Sequence, residues 1–141
     1  MKLDRAKAGS IVYHRDNDDV KMLFMKPSNP KFGGFHYQLA KGTIDDGFTP
    51  EQTAVKESLE ELGVIPSNIK SIKYLFTDVI KHSSGRSHAL YLYAIELDDR
   101  NKMIPFHYET DNIKWLDISE IDTQVRRSQL ETVHKAYGII K

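Results

Sequence analysis

Short apolar runs alternate with polar turns along the first part of the chain. Residues 8–13 (AGSIVY) and 21–25 (KMLFM) have strand length and are separated by a turn-rich polar link at 14–19 (HRDNDD), so the pattern predicts two paired strands. Residues 27–34 read as a loop, 35–40 (FHYQLA) alternate as a third strand, and Gly42 and Gly47 bracket a polar connection. A helix start follows, with Thr49 at the N-cap, Pro50 at the first helical position, and Gln52 placed to close a capping box. This helix is expected to run to Leu62, where Gly63 supplies the stop and Pro66 prevents resumption. Residues 69–79 and 89–97 read as two further strands joined by a polar stretch at 81–88, and 113–116 as a short strand carrying the single tryptophan, Trp115. Residues 124–137 read as a second helix with Val125, Leu130, Val133 and Tyr137 as its apolar points and Arg126, Arg127 and Lys135 on its solvated face. Strands interleaved with two helices, without repeats or linkers, imply one α+β domain over residues 1–141.

Composition narrows the function classes. With 141 residues and 40% hydrophobic positions, the chain can enclose a core. Twenty basic residues balance twenty acidic ones, so no global field draws it to nucleic acid or to anionic lipid, and any polyanion site must be local. Cysteine is absent, which excludes disulfides, thiolate metal sites and a Cys nucleophile. No apolar run approaches the roughly 20 residues that span a bilayer and the N-terminus has no signal-peptide pattern, so a soluble cytoplasmic protein is expected.

The first helix carries the chemistry. On a wheel of about 100° per residue with Val55 at zero, Leu59 and Leu62 fall within roughly 40° of it, a stripe expected to face the core. Glu57, Glu60 and Glu61 fall on the other side, within one turn. Glu57 and Glu61 form an i, i+4 like-charge pair in the helix's C-terminal half, where the macrodipole also disfavours anions. A hard divalent cation with oxygen ligands, Mg²⁺ or Mn²⁺, would relieve both conflicts. Lys56, beside Glu60 on the wheel, could neutralise or orient it.

Residues 42–64 resemble the Nudix box, G-x5-E-x7-R-E-U-x-E-E-x-G-U with U a bulky aliphatic residue. Gly42, Glu57, Glu60, Glu61, Gly63 and Val64 match in register, whereas Phe48 replaces the first Glu, Lys56 replaces Arg, and Ser58 replaces an aliphatic. The resemblance implies an α/β/α sandwich with a mixed sheet between helices. It implies metal ligation by Glu57 and Glu61, support from Glu60, and a contribution from the backbone at Gly42. It also implies hydrolysis of the diphosphate linkage of a nucleotide-like substrate by activated water. A general base is needed, and Glu60 in the box or Glu109 before Trp115 could serve.

Outside the box, Lys41 is the best-placed cation for a phosphate, Tyr37 with its neighbours Phe35 and His36 could stack a base, and His82, Arg86 and His88 could touch phosphate from their hairpin loop. The lead-in Tyr37-Gln38-Leu39-Ala40-Lys41-Gly42 is similar to that of dinucleoside polyphosphate and RNA 5′-pyrophosphate hydrolases, with Ala40 in place of their usual Pro. A nucleoside or dinucleoside polyphosphate is therefore the expected small-molecule substrate, ahead of an RNA end or ADP-ribose. A non-catalytic nucleotide-binding module is the competing class, and the chain could be a monomer or a homodimer.

Overall fold

The computed structural model describes residues 2–3, 5–28, 36–82, 84–104 and 110–141. Among the described residues, seven strands form one mixed sheet: β1 (Lys2–Leu3), β2 (Lys7–Asp16), β3 (Asp19–Pro27), β4 (Ala40–Thr43), β5 (Ile69–Lys81), β6 (Arg86–Leu97) and β7 (Thr110–Leu116). Strand β2 lies at its centre. It runs parallel to β6 along one edge, while its other edge pairs antiparallel first with β4 and then with β3. β7 extends the sheet beyond β3, and β5 folds back on β6 as a long hairpin.

Alternation along the strands sends side chains to two faces. Ile11, Tyr13, Met22, Phe24, Leu90 and Leu92 meet Val133, Ala136 and Ile140 of helix α3 (Leu130–Ile140) on one face. Val12, Leu23, Met25, Ile95 and Leu97 meet Leu62 of helix α1 (Pro50–Leu62) on the other. The sheet thus lies between helices, the α/β/α sandwich expected from the box.

Helix α1 keeps its expected limits. Thr49 accepts from the Gln52 amide while the Gln52 side chain accepts from the Thr49 amide, and Gly63 ends the helix at φ 73°. A side chain at Gly63 would also strike the Ile104 carbonyl, so both conformation and space require glycine there.

Several boundaries differ from the expectation. The first hairpin runs through the polar link as strand to a two-residue turn at Asn17-Asp18, where Asn17 takes φ 56°, because a short hairpin needs a left-handed residue and Asn tolerates it. The third strand is Ala40–Thr43 rather than 35–40, with Tyr37 and Gln38 making only isolated bridges to Val125 and Met25. The β5–β6 hairpin likewise absorbs residues assigned to its connection.

The second helix is interrupted. A short helix α2 (Ile121–Gln124) ends at Val125, which is extended, and α3 begins only after a 3₁₀ turn at Arg127–Gln129. The Tyr37 amide donates to the Gln124 carbonyl at 2.9 Å and the Arg126 amide to the Tyr37 carbonyl at 2.8 Å. Pairing with Tyr37 therefore takes the backbone groups a continuous helix would use, and Arg126 and Arg127 are not on the last helix.

Candidate active site

Helix α1 rests on β2 and β4 through small residues. Ala54, Ser58 and Leu62 are buried, whereas Val55 and Leu59 are only half-buried, so the packed face is rotated from the stripe of large apolar residues. The Ser58 hydroxyl satisfies itself on the Val55 carbonyl at 2.7 Å, which lets a polar residue stand in the box's aliphatic position. This rotation turns Glu57 and Glu61 towards the sheet rather than into solvent, correcting the surface placement expected from the wheel. Gly42 in β4 receives Glu57: a Cβ there would fall 2.9 Å from the Glu57 Cγ and still closer to its carboxylate. The Lys41 backbone N–H donates to the Glu61 carboxylate. Burial, then Glu57 as hydrogen-bond partner and as like charge, raises Glu61 well above the usual carboxylate range, against the pull of the Lys41 amide and ammonium.

Two carboxylates in hydrogen-bond contact need a proton or a cation between them. The donor set is all oxygen, and among the described residues no group of three His, Asp or Glu gathers around it. A pair of carboxylates with open positions for water and phosphate oxygens fits Mg²⁺, which seldom uses a full protein cage.

The other expected site residues divide into three groups. Lys41 adjoins the pair; burial foremost, then the charge of Lys7 and, after the opposing Glu61, that of Arg126, push its ammonium down to about 8. Glu60 is exposed and lines an open groove with Glu51, Gln52, Val55, Lys56 and Leu59, apart from the pair. Lys56 shares that groove, but its nearest carboxylate is Asp45 at 4.0 Å, and its ammonium lies 5.4 Å from the centre of the Phe48 ring. Two departures from the box pattern, Phe48 and Lys56, therefore touch each other as cation and ring.

Tyr37 is buried, its hydroxyl accepting from Asn112 Nδ2 at 2.9 Å and its ring flanked by the ammonium groups of Lys26 and Lys114. It is a core residue with one polar edge rather than an open stacking platform. His82 and Arg86 close the β5–β6 turn, the His82 amide donating to the Arg86 carbonyl, and the His82 ring meets buried His88 at 3.0 Å between nitrogens. Glu109 and Phe35 lie outside the described residues. Sequence reasoning missed Lys7 and Arg126, both close enough to Lys41 to act on its charge. The strand register would have found Lys7; no local signal marked Arg126.

A loop, a capped helix carrying paired carboxylates and a mixed sheet between helices define a Nudix domain. A family model described as NUDIX domain matches residues 4–136, and the chain belongs to that family. Among curated relatives, an uncharacterized Nudix hydrolase, orf19, from Rhodococcus erythropolis is 39% identical over 59 residues, covering 42% of this chain and 32% of that protein's length. The asymmetrical bis(5′-nucleosyl)-tetraphosphatase of Mus musculus is 25% identical over 118 residues, covering 79% of this chain and 78% of that one. The C. elegans Ap4A hydrolase structure superposes with a TM-score of 0.75 at 16% identity, covering 100% of both chains, a likeness of fold. No helix among the described residues is long and apolar enough to cross a membrane.

Proposed function

We propose that this chain is a Mg²⁺- or Mn²⁺-dependent pyrophosphohydrolase whose substrate is a nucleoside or dinucleoside polyphosphate, acting in the cytoplasm. The observation that carries this reading is the Glu57–Glu61 pair set against Gly42 with the Lys41 cation beside it. Glu57, Glu61 and the Gly42 backbone would hold the metal, which when bound lowers the pKa of water and neutralises phosphate charge. Lys41 holds a phosphate oxygen and opposes charge building there during hydrolysis. A general base is also required, and Glu60 on α1 and Glu109 are its two candidates. The similarity to the mouse tetraphosphatase over most of both chains favours a substrate with several phosphates.

The test is a Mg²⁺ panel of diadenosine tetraphosphate, nucleoside triphosphates, ADP-ribose and 5′-triphosphorylated RNA, ranked by kcat/KM. Preference for diadenosine tetraphosphate or a triphosphate is the expected result. Preference for ADP-ribose or the RNA end overturns the substrate assignment, and binding without turnover of any substrate overturns the hydrolase reading.

A further inference from the structure

Strand β5 has one covered face and one open one. On the covered face the Thr132 hydroxyl donates to Asp78 Oδ2 at 2.9 Å, and the Lys135 ammonium lies 4.1 Å from the centre of the Phe76 ring, both groups reaching down from α3. The open face follows from the register against β6, in which Tyr74 stands opposite Tyr93, Thr77 opposite Tyr91, Val79 opposite Ala89 and Lys81 opposite Ser87. A bulge between Tyr74 and Phe76 shifts the alternation by one residue, so Tyr74 joins Thr77, Val79 and Lys81 on this face; the Tyr74 and Thr77 hydroxyls are hydrogen-bonded at 2.7 Å. Tyr93 packs against Ala54, so this is the α1 side of the sheet. Outward from Tyr93 the face is bare: Tyr74 is 55% exposed and Val79 48%, with Thr77 exposed between them. Of the five large hydrophobic side chains exposed among the described residues, these two share one face of one strand, with half-buried Tyr91 and Ala89 beside them. A contiguous apolar patch of this kind marks a contact surface rather than scattered exposure. Each end of the patch carries a charge. Glu51 precedes Ala54 by three positions and so lies on the same side of α1, at the Tyr93 end, while Lys81 closes the other end of β5. Both are exposed, and neither has an ion-pair partner among the described residues.

We propose that a second copy of this chain covers the patch, the two sheets stacking face to face about a two-fold axis that crosses β5 and β6 at the Thr77–Tyr91 pair. The axis sets Tyr74 against Val79 of the other copy and Val79 against its Tyr74, an isologous contact with two tyrosines on each side. It also reverses the strand direction, so Lys81 of each copy comes to the end where the other carries Glu51, and both unpaired charges gain a partner of opposite sign. Self-complementarity in charge as well as in apolar surface is what singles out a second copy as the occupant. Stacked sheets stand about 10 Å apart, which the paired side chains of the two faces fill. Edge-to-edge pairing is disfavoured, because β5 carries two bulges together with Lys70 and Lys73. The patch lies away from the metal pair: Gly42 is in β4, and β2 and β6 separate that strand from β5.

The experiment is sedimentation velocity over a concentration series for the wild type, Val79→Asp, Glu51→Lys, Lys81→Glu and the double variant Glu51→Lys with Lys81→Glu, with circular dichroism confirming the fold of each. The wild type should show a reversible monomer–dimer equilibrium. Val79→Asp should weaken it at least about tenfold by placing a carboxylate against Tyr74 of the other copy. Each single charge reversal sets like charges together twice in a two-fold contact and should also cost about tenfold, whereas the double variant restores both pairs and should return to within about threefold of the wild type. A wild type that stays monomeric throughout, a dimer indifferent to Val79→Asp, a double variant no tighter than the singles, or growth beyond a dimer overturns the proposal. The readout is mass rather than turnover and none of these residues belongs to the metal pair, so failure here leaves the hydrolase reading standing, and failure of that reading leaves the dimer.

Discussion

Glu61 is half-buried against Glu57, so its carboxyl keeps a proton well above the ordinary carboxylate range, and a metal must displace that proton to bind. The folded state therefore binds more protons than the unfolded chain, and stability from this group is complete below the ordinary carboxylate value and is lost as pH rises towards the raised one. We expect the metal-free protein to melt at lower temperature as pH rises from the acid side, and Mg²⁺ to raise the melting temperature more at pH 8.5 than at pH 6. A thermal-shift series with and without EDTA checks both signs. Glu61→Gln mimics the protonated side chain, so it should fold, lose the Mg²⁺-dependent stabilisation, and turn over orders of magnitude more slowly; near wild-type turnover at saturating metal would remove Glu61 from the ligand set. Lys56, paired with Asp45 and Phe48, acts on the loop before α1 rather than on the metal pair. Lys56→Arg should be tolerated, since a guanidinium also stacks on Phe48, whereas Lys56→Ala should cost less than about 1 kcal/mol, read by chemical denaturation, because the contacts are exposed.

Helix α1 was legible in its ends but not in its orientation. Capping residues act locally, so Thr49, Pro50, Gln52 and Gly63 fixed the limits. Orientation depends on what the helix rests on, and the large residues Val55 and Leu59 yielded the closest approach to Ala54 and Ser58, which bring the helix near β2 and β4. The carboxylate pair could be read from spacing, while its burial could not. Ser58→Leu would restore the box's aliphatic residue, yet Ser58 has no exposed surface and no room to grow. We expect it to destabilise by about 1–3 kcal/mol in urea melts, where a solvent-facing position would show almost no change. The last helix was misread for the opposite reason: its apolar spacing is helical, but pairing of Tyr37 with Gln124 and Arg126 is a contact between distant segments that no local pattern reports.

Across the whole molecule, the sandwich was legible through the likeness to the box, and β2 and β3 do send side chains to both cores, whereas the charges around Lys41 were not legible, because Lys7 comes from β2 and Arg126 from the break before α3. Only strand register and tertiary stitching bring Lys7, Lys41 and Arg126 together. The same central position of β2 governs how the chain reaches its fold. Val12 pairs with Ile95 and Met22 with Leu116, so the middle of the sheet closes only when segments far apart in the chain meet. Such topology carries a large loop-closure entropy before its contacts repay it, which slows folding relative to helical proteins of equal size. On a ribosome, β2, β3 and β4 would emerge with one edge of β2 unsatisfied until β6 follows. During that interval the nascent chain presents an apolar strand edge, and chaperone capture or misassociation would compete for it before any metal pair exists.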